Sequence, residues 1–252
     1  MCPNRSSSST LPVQVGNTKH QARSCAMPAR RLLSSMPAAR ALARLANHDV
    51  AFIRHGNTAP ASKDLDRRLT DKGKEQCGEA ARSYMKRLPA PLADYAATSP
   101  AHRCVETASM IVPGLELVET ECVYDGMLQP GAYEAFERIG YASLAQYLAD
   151  SDEVRSLLTD HGEQVVGALG ATVTVRMALA AADGGGQAAQ ATGRQTLCVF
   201  GHAVYLSAAA LRLADLRAHP SDAKQAILHT NVEEASGFWV GGVTSEVLRR
   251  GA

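Results

Sequence analysis

The chain has 252 residues, 46% of them apolar and 20% charged, which is enough to bury one substantial core and too apolar for disorder throughout. Its net charge of +1 hides an asymmetry: residues 1–48 hold seven Lys or Arg and no Asp or Glu, so the other 19 basic side chains face all 25 acidic ones, a net of −6. An acidic body with 5% aromatics speaks against a nucleic-acid surface, and no apolar run is long enough to span a bilayer.

Residues 1–46 are rich in Ser, Arg and Ala and free of acid, the composition of an organellar transit peptide for mitochondrion or plastid. A plain disordered tail on a cytoplasmic protein and a nucleic-acid-binding arm are the other readings. A single globular domain is expected over 47–252. Residues 50–53 read as the first strand, ending in Arg54-His55-Gly56. Thr70 caps a helix running to about residue 88, in which Cys77, Ala80, Ala81, Tyr84, Met85 and Leu88 form one apolar stripe. Residues 95–98 form a second strand, and Ser99-Pro100 starts the next helix at about Pro100, so that Arg103 lies in its first turn, where backbone N–H groups favour an anion.

Residues 115–123 alternate as a third strand, and 124–162 read as loop and short helices. A longer helix is expected over 163–182, then a flexible loop from Gly184 to Gly193. Residues 196–200 are the clearest buried strand, ending in Gly201-His202 with a helix over about 203–213 behind it. Residues 238–240 and 246–248 complete the sheet or form an edge hairpin. The alternation is that of an α/β fold. His55, Arg103 and His202 each stand just past the C-terminal end of a strand, where open α/β sheets bind their ligands. A histidine between a permanent cation and a glycine suits attack on a phosphoryl group, with the glycine letting phosphate approach the backbone. His161, His219 and His229 make no HxH or HExxH pattern and the six cysteines no CxxC pair, so buried free thiols, no metal and no cofactor are expected.

The segments VAFIRHGNT (50–58), LTDKGKEQC (69–77), SPAHRCVETA (99–108) and VFGHAVYL (199–206) stand in the order found in the histidine phosphatase superfamily, the phosphoglycerate-mutase-like proteins. The chain resembles that family from residue 49 to about 240. The resemblance implies a three-layer α/β/α sandwich on a mostly parallel sheet and a metal-independent phosphatase, a mutase being less expected because no extended insert is present. By that likeness His55 is the nucleophile that becomes phosphorylated, Arg54 and Arg103 hold the phosphoryl oxygens, and His202 donates to the same group. Gly56, Asn57, Thr58, Arg67 and Ala203 are the expected substrate contacts.

His55 needs an unprotonated nitrogen and His202 works best charged, so their pKa values are expected to be pushed apart. A carboxyl group must protonate the leaving group. The residue in the family's position is Asp125, with Glu119, Glu121 and Glu134 as alternatives. Residues 64–70 look like the Asp-x-x-Arg-x-Leu-Thr stretch of SixA-type phosphohistidine phosphatases. The His55-to-His202 interval instead looks like that of the broad-specificity phosphatases, and His161-Gly162-Glu163 resembles the Gly-Glu-Ser stretch of the mutase and phosphatase branches. The expected substrate is a small phosphomonoester or a phosphohistidine protein. The alternative is a phosphate- or phosphoprotein-binding module with little turnover.

Overall fold

The structure, a computed structural model, describes residues 37–88, 90–182 and 194–251. In chain order these form α1 (Ala38–Arg44), β1 (His48–Arg54), a 3-10 turn (Asp64–Asp66), α2 (Asp71–Arg87), β2 (Leu92–Thr98), α3 (His102–Ile111) and β3 (Glu116–Glu119). There follow α4 (Cys122–Asp125), α5 (Ala132–Ile139), α6 (Leu144–Leu148), α7 (Asp152–Ala182), β4 (Gln195–Gly201), α8 (Ala203–Leu216), α9 (Ser221–His229), β5 (Gly237–Val240) and β6 (Ser245–Leu248).

The six strands make one sheet in the order β3-β2-β4-β1-β5-β6, parallel from β3 to β1 and antiparallel in the β5–β6 hairpin at the edge. Strand periodicity splits the core in two. Val50, Phe52, Leu197 and Val199 face a layer with α1, α7 and α8, while Ala51, Ile53, Cys198 and Phe200 face α2 and α3. Both faces of β1 and β4 are therefore covered, which is why these strands read as continuous apolar runs. A smaller apolar cluster, including Leu144, Tyr147, Leu158 and Tyr205, joins α5, α6 and the start of α7 to α8. The fold is the three-layer α/β/α sandwich expected.

Several boundaries differ from the sequence reading. The α7 helix starts at Asp152, eleven residues earlier than the expected 163, because Val154 and Leu158 pack against the Leu144 cluster. The third strand stops at Glu119, and Val123, expected to end it, lies in α4 and is buried. The α3 helix starts at His102, not Pro100, because Ala101 is extended (φ −63°, ψ 129°) and takes the N-cap position, although Ser99 Oγ still accepts from Ala101 N–H. The loop expected at Gly184–Gly193 lies outside the described residues.

The domain also begins earlier than residue 47. Ala41 and Leu45 are fully buried, and a Cβ at Gly170 of α7 would come within 2.5 Å of Ala41, so α1 lies against α7 as part of the core. Arg217 fixes its end, donating to the carbonyls of Leu45 (3.0 Å) and His48 (2.7 Å). Leu45→Ala should cost about 2–5 kcal/mol, read as a lower urea midpoint. A silent substitution would put α1 outside the folded unit. Of the transit peptide expected over residues 1–46, residues 1–36 lie outside the described residues.

Candidate active site

Three neighbouring strands bring the reactive side chains together. In the sheet order β2-β4-β1, Arg54 pairs in register with Gly201, and His55 N–H donates to the Gly201 carbonyl at 3.1 Å, so His55 and His202 leave adjacent parallel strands side by side. Their rings meet edge-on with centroids 5.3 Å apart. Arg103, 1% exposed in the first turn of α3, comes from the far side of β4, and its Nη2 lies 3.3 Å from His202 Nδ1. Arg54, 6% exposed, donates through Nη1 to the Val232 carbonyl at 2.6 Å and lies under the Tyr141 ring, 4.9 Å from its centroid. The Nε atoms of both arginines are buried without a hydrogen-bond partner among the described residues, and such orphan cationic donors are costly until an anion reaches them.

The tautomers follow from the partners. His55 Nδ1 lies 2.8 Å from the Gly56 carbonyl, which only accepts, so Nδ1 carries the proton and Nε2 keeps its lone pair. A guanidinium only donates, so His202 Nδ1 accepts from Arg103, and Nε2 is left to donate to Ser99 Oγ at 3.1 Å. Burial pushes the His55 pKa down to about 3, helped by Arg103, Arg54 and Arg67 and opposed by the Gly56 carbonyl. Burial, His55 and Arg103 likewise hold His202 well below its ordinary value. The two histidines are thus shifted in the same direction, not in opposite ones as expected. Both rings are neutral, because both share one desolvated, cationic surrounding.

Burial alone lowers His161 to about 4, against Tyr205. For all three histidines the unfolded chain takes up a proton first as pH falls below about 6.5, so stability is lost through the window down to about 4 for His161 and about 3 for His55. Each contributes up to about 1.4 kcal/mol per pH unit inside its window. The urea midpoint should therefore drop between pH 7.5 and pH 5, and inorganic phosphate should offset the drop. A midpoint that does not change with pH would mean the rings titrate in the folded state as they do in the unfolded chain.

The remaining expected contacts divide. Gly56 does not leave its backbone open to a ligand: its N–H donates to Thr107 Oγ1 at 3.1 Å. The glycine is required by packing instead, since a Cβ would come 2.8 Å from the Gly73 carbonyl of α2. Asn57 is also taken up by the fold, its Oδ1 accepting from Thr70 (2.7 Å) and its Nδ2 donating to Glu234 (2.8 Å), which Gln76 holds at 2.9 Å. Thr58 Oγ1 accepts from Arg67 Nη2 at 2.6 Å, so these two side chains brace each other, although the Arg67 charge still reaches His55. Ala203 is the first residue of α8, with its backbone N–H at the positive end of the helix dipole. Asp125 ends α4, and its side chain lies outside the described residues.

Two side chains not assigned from the sequence also border the site. Asp64 Oδ2 accepts from Arg103 Nη2 at 2.6 Å and from the Tyr124 hydroxyl at 3.0 Å, while the Asp64 carbonyl accepts from Arg103 Nη1. Arg103 holds the Asp64 carboxyl below its usual range against the opposing effect of burial. Asp64 heads the Asp-x-x-Arg stretch, the one signal that could have marked it.

A sequence model described as histidine phosphatase superfamily, branch 1, matches residues 50–232, well over half of the chain and every strand-end group above. The chain belongs to that superfamily. No curated protein matches it. Among solved structures it is similar to a phosphoserine phosphatase of Entamoeba histolytica in complex with 3-phosphoglyceric acid, with 16% identity, coverage of 81% of this chain and 97% of that one, and a TM-score of 0.47. It is also similar to a mycobacterial glucosyl-3-phosphoglycerate phosphatase, with 16% identity, 81% and 99% coverage and a TM-score of 0.46. A third is the protein histidine phosphatase SixA complexed with tungstate, with 14% identity, 80% and 95% coverage and a TM-score of 0.40. In this histidine phosphatase superfamily member, a cleft of about 580 Å³ adjoins Arg54, walled in part by Lys72, Gln76, Tyr141, Asn231 and Glu234.

Proposed function

We propose that the chain is a phosphatase that works through a phosphohistidine at His55, with Arg54, Arg103 and His202 as the groups that hold the phosphoryl unit. Membership of the superfamily supports phosphatase chemistry. The reading rests on one observation above the others: Nδ1 of His55 is fixed on the Gly56 carbonyl, which leaves an unprotonated Nε2 beside the His202 ring and the Arg103 fork.

In the first step Nε2 attacks phosphorus and the leaving-group bond breaks. In the second, water attacks the phosphohistidine and inorganic phosphate departs. Phosphoryl transfer needs positioning and neutralisation of spreading negative charge, which two buried guanidiniums supply. A bound dianion reverses the electrostatics that keep His202 neutral, so His202 gains a proton on binding and becomes a cationic donor. Substrates are a small phosphomonoester or a phosphohistidine protein. The acid-free leader supports delivery of the protein to an organelle.

The test is a rapid-quench experiment on the full chain with an aryl phosphate and an alkyl phosphate. The expected result is a burst of leaving group matched by acid-labile, alkali-stable label on one histidine. Phosphate binding without label or turnover on either ester would reduce the chain to a binding module.

A further inference from the structure

Arg103 carries a resident anion. The carboxylate of Asp64 rests on Nη2, 2.6 Å away, and the same Nη2 lies 3.3 Å from His202 Nδ1, so Asp64 stands on the arginine edge that faces His202. Arg103 is 1% exposed and cannot turn to a different partner, whereas the Asp64 side chain is 37% exposed on a short 3-10 turn. A phosphoryl oxygen and the Asp64 carboxylate therefore compete for Arg103 Nη2. A phosphoryl dianion that takes Nη2 deprives the carboxylate of its nearest cation and puts like charge beside it, and both changes favour a proton on the carboxyl.

We infer that Asp64 is the proton carrier of this site, displaced from Arg103 and protonated when the phosphoryl group binds, then donating that proton to the leaving group. The inference rests on the phosphatase reading above. The proton enters from solvent as substrate binds. When His55 Nε2 bonds to phosphorus, the leaving-group bond breaks, its electron pair stays on the departing oxygen, and the Asp64 proton goes to that oxygen. Water then attacks phosphorus, the N–P bond breaks with its electron pair returning to Nε2, and the proton lost by water goes to Asp64. Release of inorganic phosphate lets the carboxylate give up that proton and return to Arg103.

The groups around Asp64 agree with this role. Arg103 on α3 and Arg67 on the same turn, at 3.4 Å, keep it ionised at rest. Burial and Asp64 itself push the Tyr124 hydroxyl up to about 12, so Tyr124 stays protonated and donates to the Asp64 carboxylate at rest. The Cys104 thiol, raised to about 12 chiefly by burial, stays neutral beside them.

Asp64→Asn keeps the size of the side chain and removes the titration, and exposed Asp66→Asn on the same turn is the control. Calorimetry of inorganic phosphate binding near pH 7, in buffers of differing ionisation enthalpy, should show up to one proton less uptake in Asp64→Asn than in the unsubstituted chain, with several-fold tighter binding. In turnover, Asp64→Asn should lose about 100-fold in kcat on an alkyl phosphate and only a few-fold on an aryl phosphate, whose leaving group needs no acid. Asp66→Asn should match the unsubstituted chain. Unchanged proton uptake, weaker phosphate binding, or equal losses on both esters would each overturn the assignment. If the unsubstituted chain neither turns over nor labels, the phosphatase reading fails separately, and the calorimetry still decides whether phosphate displaces and protonates Asp64.

Discussion

His55→Ala should abolish acid-labile labelling and lower turnover of any phosphate ester by roughly 10⁴-fold or more, the scale of losing a covalent nucleophile. The expectation follows from the ring's position. The Gly56 carbonyl holds Nδ1, and among the described residues no other imidazole is offered to the same space with a free nitrogen, because His202 is fixed between Arg103 and Ser99. Binding of inorganic phosphate should persist in the variant within about tenfold, since the two guanidiniums stay in place. Full turnover by His55→Ala would rule out the covalent route.

Arg103→Lys should be nearly as severe, with kcat reduced by about 10²–10³-fold although the charge is retained. One guanidinium fork here meets the Asp64 carbonyl, the Asp64 carboxylate and the His202 ring. A lysine ammonium on a flexible stem cannot hold all three geometries, so both the phosphoryl contact and the His202 tautomer are lost together. The loss should fall on kcat more than on KM, because the fork matters most as charge spreads over the oxygens in the transition state. A change confined to KM would make Arg103 a simple binding residue.

Much of this was readable in the chain. Apolar runs at 50–53 and 196–200, each followed two residues on by a histidine, located β1 and β4, because strands covered on both faces must be continuously apolar. Thr70 was legible as a cap, and its hydroxyl does accept from Gly73 N–H at 3.0 Å. Boundaries were less so. The α1 helix looks like part of a basic leader until its small and apolar face, Ala41 and Leu45, is set against Gly170. Val123 alternates like a strand residue but is buried in α4 against β4, where a Cβ at Gly201 would meet its side chain at 2.7 Å.

The roles of the polar residues divide in the same way. Local pattern identified Arg54, His55, Arg103 and His202 as strand-end and helix-start groups, because those positions follow from the periodicity of the adjacent segments. It could not show that Gly56 and Asn57 serve packing and bracing, since those partners come from Thr107, Gly73 and Glu234, up to 177 residues away. Nor could it show that Asp64 rests on Arg103, 39 residues on, or that both histidines are neutral. The sequence by itself therefore determined the α/β alternation and the strand ends, which depend on short-range hydrophobic and capping patterns, and the family resemblance with its layers, which rests on the order of four motif segments. Only the tertiary structure decided tautomers, protonation and which anion holds the arginine, because those depend on desolvation and on partners that meet only when the sheet closes.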